Sequence, residues 1–401
     1  MTEPIALPPG FRAAGLHAGI KKNGKPDLGV LIADHAYPAY AMFTQNHLLG
    51  AHIPVCREHL SRSGGQVRAV LVNSGNANCA TGSAGIGDNR AVCRAVADHL
   101  GCPIQQVLFL STGVIGARLP VAVIVDAVPG LCDRAHEAGA REFAEAIMTT
   151  DTHPKLASEV IHATDGAAVQ VTGIAKGAGM IHPDMATLLA FLVTEGRSEA
   201  DLAMGLRAIA DQTFHRVTID GDTSPNDTLL LWTAARHWCR PTADEHGLPV
   251  HPLEDSLTRA GRSLARMIAR DGEGATRLVT VQVRGCMSDQ DTLDLGRFVA
   301  TSPLVKTAVF GRDPNWGRIL SAAGACGLPI DIERARVWIG DAELFSEGKP
   351  HPQNEAAARQ HLLDQEDVVL GIDAGMGPFC GEVWTCDFSD RYVSINADYR
   401  S

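Results

Sequence analysis

The chain has 401 residues, 45% of them hydrophobic and 20% charged, which is ordinary for a globular protein and enough chain for two or three domains. A net charge of −11 argues against nucleic acid as a partner, since that needs clustered Lys and Arg and the longest basic run here is Lys21-Lys22. No stretch of about 18 apolar residues is present to span a membrane. The opening Met1-Thr-Glu-Pro-Ile-Ala-Leu-Pro-Pro lacks the apolar core of a secretory signal, so a cytoplasmic location is expected. In chain order, residues 67–73 are a short apolar run that ends in a polar Gly/Asn loop, as a buried strand would. Residues 88–100 follow as a helix with Val92, Val96 and Leu100 on one face and Gly101 as its stop. Residues 107–110 read as a strand that opens into a Ser111-Thr-Gly turn, 142–148 as helix, and 167–174 as an alternating strand. Helices are predicted over 199–213 and 253–270, then a strand over 278–283. The last third reads mainly as strand, at 368–372, 381–386 and 392–396. Strands and helices alternate without a strict βαβ period, so the fold class is α/β.

Ten cysteines are scattered with no Cys-x2-Cys pair, which predicts reduced core thiols and no metal site. There is no Gly-x4-Gly-Lys-Ser/Thr phosphate loop, no His-Glu-x-x-His zinc helix and no Gly-x-Ser-x-Gly elbow.

The segment most suggestive of chemistry is Lys176-Gly-Ala-Gly-Met-Ile-His-Pro-Asp-Met-Ala-Thr187, which runs at once into the apolar stretch 188–193. A threonine hydroxyl is a poor nucleophile unless a base adjoins it. Its own α-amino group can be that base, but only after the Ala186–Thr187 bond is cut. Such an amine titrates near ~7.7–8.0, close to the working pH of a general base. A Gly-rich loop running into a strand is by itself more often plain structure. The catalytic reading therefore depends on the company this segment keeps.

That company extends along the whole chain. It comprises Gly10-Phe-Arg-Ala-Ala-Gly15 with Ala18-Gly-Ile-Lys21, Val72-Asn-Ser-Gly-Asn-Ala-Asn78, Ser111-Thr-Gly-Val-Ile-Gly116 and Met148-Thr-Thr-Asp-Thr152. Further on stand Asp220-Gly-Asp-Thr-Ser-Pro-Asn-Asp227, Asp271-Gly-Glu-Gly-Ala-Thr276, the block from Lys306 to Arg318, and Ile395-Asn-Ala-Asp-Tyr-Arg-Ser401. With these blocks in this order, the chain resembles the ornithine acetyltransferase family, also called glutamate N-acetyltransferases, of the cyclic arginine pathway.

The resemblance implies a layered α/β sandwich that cleaves itself at Ala186–Thr187 into an α chain of residues 1–186 and a β chain of residues 187–401. It also implies the roles: Thr187 as nucleophile, Thr112 and Gly113 as the oxyanion hole, and Thr150, Lys176, Thr187, Glu273, Asn396 and Ser401 on substrate. The substrates implied are N-acetylornithine and glutamate, and the assembly an α2β2 heterotetramer. No cofactor is implied; acetyl-CoA, which would make the enzyme bifunctional, is left open as a co-substrate. The alternative is a self-processing aminopeptidase or amidohydrolase that gives the acyl group to water. Two positions depart from the family pattern. Ser401 stands where Thr is common, which keeps the hydroxyl, and Asp184 where Asn is common, which puts a carboxylate in the loop before the scissile bond. His182, beside Pro183, reads as a structural loop histidine.

Overall fold

The computed structural model describes residues 5–182, 188–198, 202–243 and 249–398, and the chain divides into two units. The first takes the described residues of 1–177, 184–215 and 223–264; the second takes those of 178–183, 216–222 and 265–401.

In the first unit, eight strands make one mixed sheet: β1 (Phe11–Leu16), β2 (Leu28–Phe43), β3 (Gln66–Asn76), β4 (Val107–Val114), β5 (Lys155–His162), β6 (Ala168–Lys176), β7 (Leu189–Arg197) and β8 (Thr228–Trp238). The order is β4-β3-β2-β8-β7-β6-β5, with β1 antiparallel to β2. Strand β2 is long enough to serve two neighbours, pairing with β3 through its first half and with β8 over Ala39 to Phe43.

Alternation along the strands sends successive side chains to opposite faces. Leu28, Val30, Ile32, Ala69, Leu71, Val107 and Phe109 pack on one face with α2 (Gly82–Leu100) and α3 (Val121–Asp133). Leu31, Ala33, Val70, Val72, Leu108 and Leu110 pack on the other with Phe143 and Ile147 of α4 (Ala140–Ile147). A strand covered on both faces reads as a continuous apolar run, which is why residues 67–73 and 107–110 were legible. This is the layered α/β architecture expected.

Helix α1 (His52–Ser63) also packs against β4. Helix α2 starts six residues earlier than predicted, because Gly82, Gly85 and Gly87 are poor helix formers and hide its first turns. Gly85 is required there, since a Cβ would collide with the Thr81 hydroxyl. Helix α5 is Leu202–Gln212; the expected start at 199 lies outside the described residues. A two-residue ribbon, β9 (Thr242–Ala243) with β10 (Pro249–Val250), precedes α6 (Pro252–Arg270). Residues 252–264 of α6 belong to the first unit and 265–270 to the second.

The second unit has β11 (Leu278–Cys286), β12 (Arg336–Ile339), β13 (Ala342–Ser346), β14 (Lys349–Pro350), β15 (Asp367–Asp373) and β16 (Phe379–Cys386), ordered β14-β13-β12-β15-β11-β16. Only β11 and β15 are parallel. Its helices are α7 (Asp289–Thr301), α8 (Pro303–Phe310), α9 (Trp316–Ala325), α10 (Glu355–Asp364) and α11 (Asp390–Ala397). Gly296 lets α7 lie close on Val283 and Val383 of the sheet. The expectation of a mainly strand C-terminal third is therefore corrected, since helices hold more of it than strands.

The strand expected over 392–396 is helix α11. Tyr392-Val-Ser-Ile-Asn alternates like a strand, but Ser389 caps a helix by accepting from the Arg391 N–H, and Asp390 favours the positive end of the helix dipole.

Candidate active site

In the first unit, the parallel strands β3 and β4 deliver their polar ends side by side, Asn73 to Asn76 against Ser111 to Val114. The sequence suggested a turn at Ser111-Thr-Gly. These residues instead complete β4, and the pairing shifts register at Gly75 and Asn76. Gly113 has φ +131, and a Cβ on it would collide with the Gly75 carbonyl carbon, so only glycine fits. Thr112 beside it is buried. Behind this corner, the Asn226 amide donates to the Ser111 carbonyl at 2.7 Å and to the Ala77 carbonyl at 2.6 Å.

Lys176 ends β6 and is only 5% exposed. Its Nζ donates to Thr112 Oγ1 at 3.3 Å. Next to it, the buried Asp151 carboxylate accepts from the Gly177 N–H at 2.7 Å, Lys155 Nζ at 2.7 Å and the Thr149 N–H at 2.9 Å. Thr150 is half-buried in the bend between Thr149 and Asp151. Lys21 donates from Nζ to the carbonyls of Pro26, at 2.9 Å, and Met148, at 2.7 Å. Burial lowers its ammonium to about 8, with Asp27 opposing and Lys176 reinforcing the shift. Asp27 itself is fully buried and accepts from the N–H groups of Ala18, Gly19, Ile20 and Lys21, which is what the Ala18-Gly-Ile-Lys21 motif is shaped for.

Chemically, this corner offers a buried ammonium, a hydroxyl donor and a backbone held open by glycine. It suits an anion or a carbonyl oxygen gaining charge.

The second unit holds another cluster. Glu273 is 7% exposed and fixed at both ends. Its N–H donates to the Ala178 carbonyl at 2.7 Å, and Oε2 accepts from the Asn396 amide at 2.8 Å. Its glycine neighbours are required by geometry as well as composition. Gly274 has φ +71 and lies against the Arg391–Tyr392 backbone of α11, while a Cβ on Gly272 would press on Cys386 Sγ. Gly179 abuts the Glu273 carboxylate so closely that a Cβ would displace it.

Asp220, from the same unit, accepts from the N–H groups of Met180 at 2.6 Å and Ile181 at 2.9 Å, and Met180 holds the left-handed φ of +55. Burial raises the Asp220 carboxyl above its ordinary value despite these bonds. His182 sets Nδ1 3.1 Å from the Thr218 hydroxyl.

Of the residues picked out by sequence, the structure brings Thr112, Gly113 and Lys176 together in the first unit, and Glu273 with Asn396 in the second. Ala186, Thr187, Ser401 and Asp184 lie outside the described residues. Leu189, two positions after Thr187, is the register partner of Lys176, and the carbonyl of Leu188 accepts from the Thr228 N–H. Sequence reasoning assigned no role to Asp151, Asn226 or Lys21, although each stands inside a quoted motif.

The corner thus joins the buried Lys176, Thr112 and a Gly113 dictated by close approach at the end of β4. The comparisons with known proteins give the family. The model of the ArgJ family matches residues 12–401. An Arginine biosynthesis bifunctional protein ArgJ of Prochlorococcus marinus is 41% identical, over 98% of this chain and 93% of its own. Its counterpart in Brucella suis is 40% identical, over 98% and 95%. The solved ornithine acetyltransferase of Mycobacterium tuberculosis, in complex with ornithine, is 37% identical with a TM-score of 0.42, over 46% of this chain and 97% of its own. The chain belongs to the ArgJ family, and with it to the acyltransferases of arginine biosynthesis.

Proposed function

We propose that the chain moves the acetyl group of N2-acetylornithine to glutamate through an acetyl ester on Thr187. The Thr187 hydroxyl first attacks the Ala186 carbonyl, the acyl group shifts from nitrogen to oxygen, and water hydrolyses the ester. The products are an α chain ending in the Ala186 carboxylate and a β chain beginning with a free Thr187 amine. In turnover that amine takes the hydroxyl proton as the oxygen attacks the acetyl carbonyl, and passes it to the departing ornithine nitrogen. Thr112 and the Gly113 N–H stabilise the oxyanion. Glutamate then attacks the acetyl ester by the reverse route. Lys176 takes the α-carboxylate and Thr150 adds a hydroxyl; Glu273 takes the ornithine side-chain amine, and Asn396 and Ser401 complete substrate contact.

No cofactor is needed in this scheme, because the acyl-enzyme itself stores the reactive bond. The α and β chains form an α2β2 heterotetramer that acts in the cytoplasm. The observation that carries the reading is the Lys176 ammonium at 3.3 Å from Thr112 Oγ1, beside a Gly113 that nothing else could replace. Acetyl-CoA as a second acetyl donor is left to a separate assay.

Initial rates varied against both substrates test the scheme. Parallel reciprocal plots are expected for transfer through an acyl-enzyme; intersecting plots would replace it with a ternary complex. Acetate accumulating at a rate indifferent to glutamate would make the enzyme a hydrolase. Acetyl-CoA with glutamate, assayed separately, decides the second donor.

A further inference from the structure

We propose that Asp151 is a positioning residue of this site, whose carboxylate ties the Lys176–Gly177 backbone, the Thr149–Thr150 bend and the Lys155 ammonium into one arrangement and so fixes where the substrate's α-carboxylate is met. The inference rests on the reading of Lys176 and Thr150 as substrate-binding residues, and goes beyond it by naming what holds them.

The geometry is specific. Lys155 and Lys176 belong to the antiparallel neighbours β5 and β6, where Lys155 is the register partner of Ala175. Two lysines so close, 2% and 5% exposed, repel each other and are costly to bury unless a counter-charge stands between them. Asp151 is the carboxylate that does so. Oδ1 accepts from Lys155 Nζ and from the Gly177 N–H, both at 2.7 Å, so one atom links the ammonium to the peptide that follows Lys176. Oδ2 accepts from the Thr149 N–H at 2.9 Å, closing a tight bend around Thr150.

Every oxygen of Asp151 thus serves a residue next to a substrate-binding one. Burial alone would raise this carboxyl, but Lys155, Lys176 and the hydrogen bonds hold it well below the usual carboxylate range, so it stays charged.

The test is the full chain carrying Asp151→Asn, assayed with two acetyl donors at saturating glutamate. One is N2-acetylornithine; the other is N-acetylputrescine, the same molecule without its α-carboxylate. In the wild type, kcat/KM favours acetylornithine. In Asp151→Asn that preference should fall about tenfold, with KM for acetylornithine rising about tenfold and kcat changing less. A merely structural defect would depress both donors together and leave the preference intact.

Should Asp151→Asn fail to fold, Asp151→Asn with Lys155→Met removes the ammonium that is hydrogen-bonded to this carboxylate together with it, and the same measurements apply. Should the wild type not turn over acetylputrescine, the split between KM and kcat for acetylornithine is the reading. A preference and a KM within twofold of wild type, in an active wild-type background, overturn the role of Asp151 and leave the acetyltransferase reading standing. A wild type that turns over no acetylornithine overturns both.

Discussion

The Asn396 amide donates to Oε2 of Glu273 at 2.8 Å, joining residues that lie 123 positions apart in the chain. Helix α11 carries the amide and Gly274 lets that helix come close. Glu273→Gln keeps the shape and the partner but removes the negative charge. It is expected to lower kcat/KM for acetylornithine about tenfold to hundredfold, the value of a charge-assisted hydrogen bond, while shifting the unfolding midpoint little. Steady-state kinetics beside a thermal melt check this. Equal losses of activity and stability would make Glu273 a structural residue only.

Thr112 and Gly113 should separate by kind of defect. Thr112→Val removes the hydroxyl that Lys176 touches and keeps the volume, so the fold should hold while kcat falls about 10²-fold. Gly113→Ala forces a left-handed φ and a collision with the Gly75 backbone, so it should destabilise by about 2 kcal/mol or more in urea unfolding. A fully stable Gly113→Ala protein would contradict the close approach of β3 and β4 described above.

Self-processing is read on a denaturing gel and by intact mass. The wild type is expected to give chains of 186 and 215 residues, the larger beginning with Thr187, on cutting the 401-residue precursor after Ala186. Thr187→Ala should remain one chain. Lys176→Met should cleave and yet lose amino-acid recognition, since processing involves no free carboxylate. An active wild type that stays whole would rule the mechanism out.

His52 gives a pH prediction independent of catalysis. It is fully buried on α1 with Nε2 3.0 Å from the Asn226 carbonyl, and burial pushes it down to about 4 from an ordinary value of 6.5. Because the folded pKa lies below the unfolded one, the unfolded chain binds the extra proton between pH 6.5 and 4. The neutral imidazole therefore costs nothing above pH 6.5, and stability is lost progressively as pH falls through that window, by about 3 kcal/mol at its foot. His52→Gln can still donate to the Asn226 carbonyl but does not titrate there. Urea unfolding at pH 7, 5.5 and 4 should show a shallower acid decline for this variant than for the wild type, and parallel declines would remove His52 as a cause.

By itself the sequence determined the elements whose signal is local. The apolar runs at 67–73 and 107–110 and the periodic stretch at 253–270 became β3, β4 and α6, because burial of one or both faces is written into neighbouring residues. The ordered motifs likewise determined the family and most candidate residues. What the tertiary structure decided depends on chain segments meeting. The alternation of Tyr392 to Asn396 lost to the cap at Ser389, and of the glycines beside Glu273, Gly274 makes room for α11 and Gly272 for the Cys386 side chain. Asp151 reaches Gly177 across 26 positions and Asn226 reaches Ala77 across 149. A carboxylate or amide in a motif does not say which backbone group it will satisfy. That choice falls to the sheet, which brings the strand ends and their unpaired N–H and C=O groups within reach and leaves them too deeply buried to go unmatched.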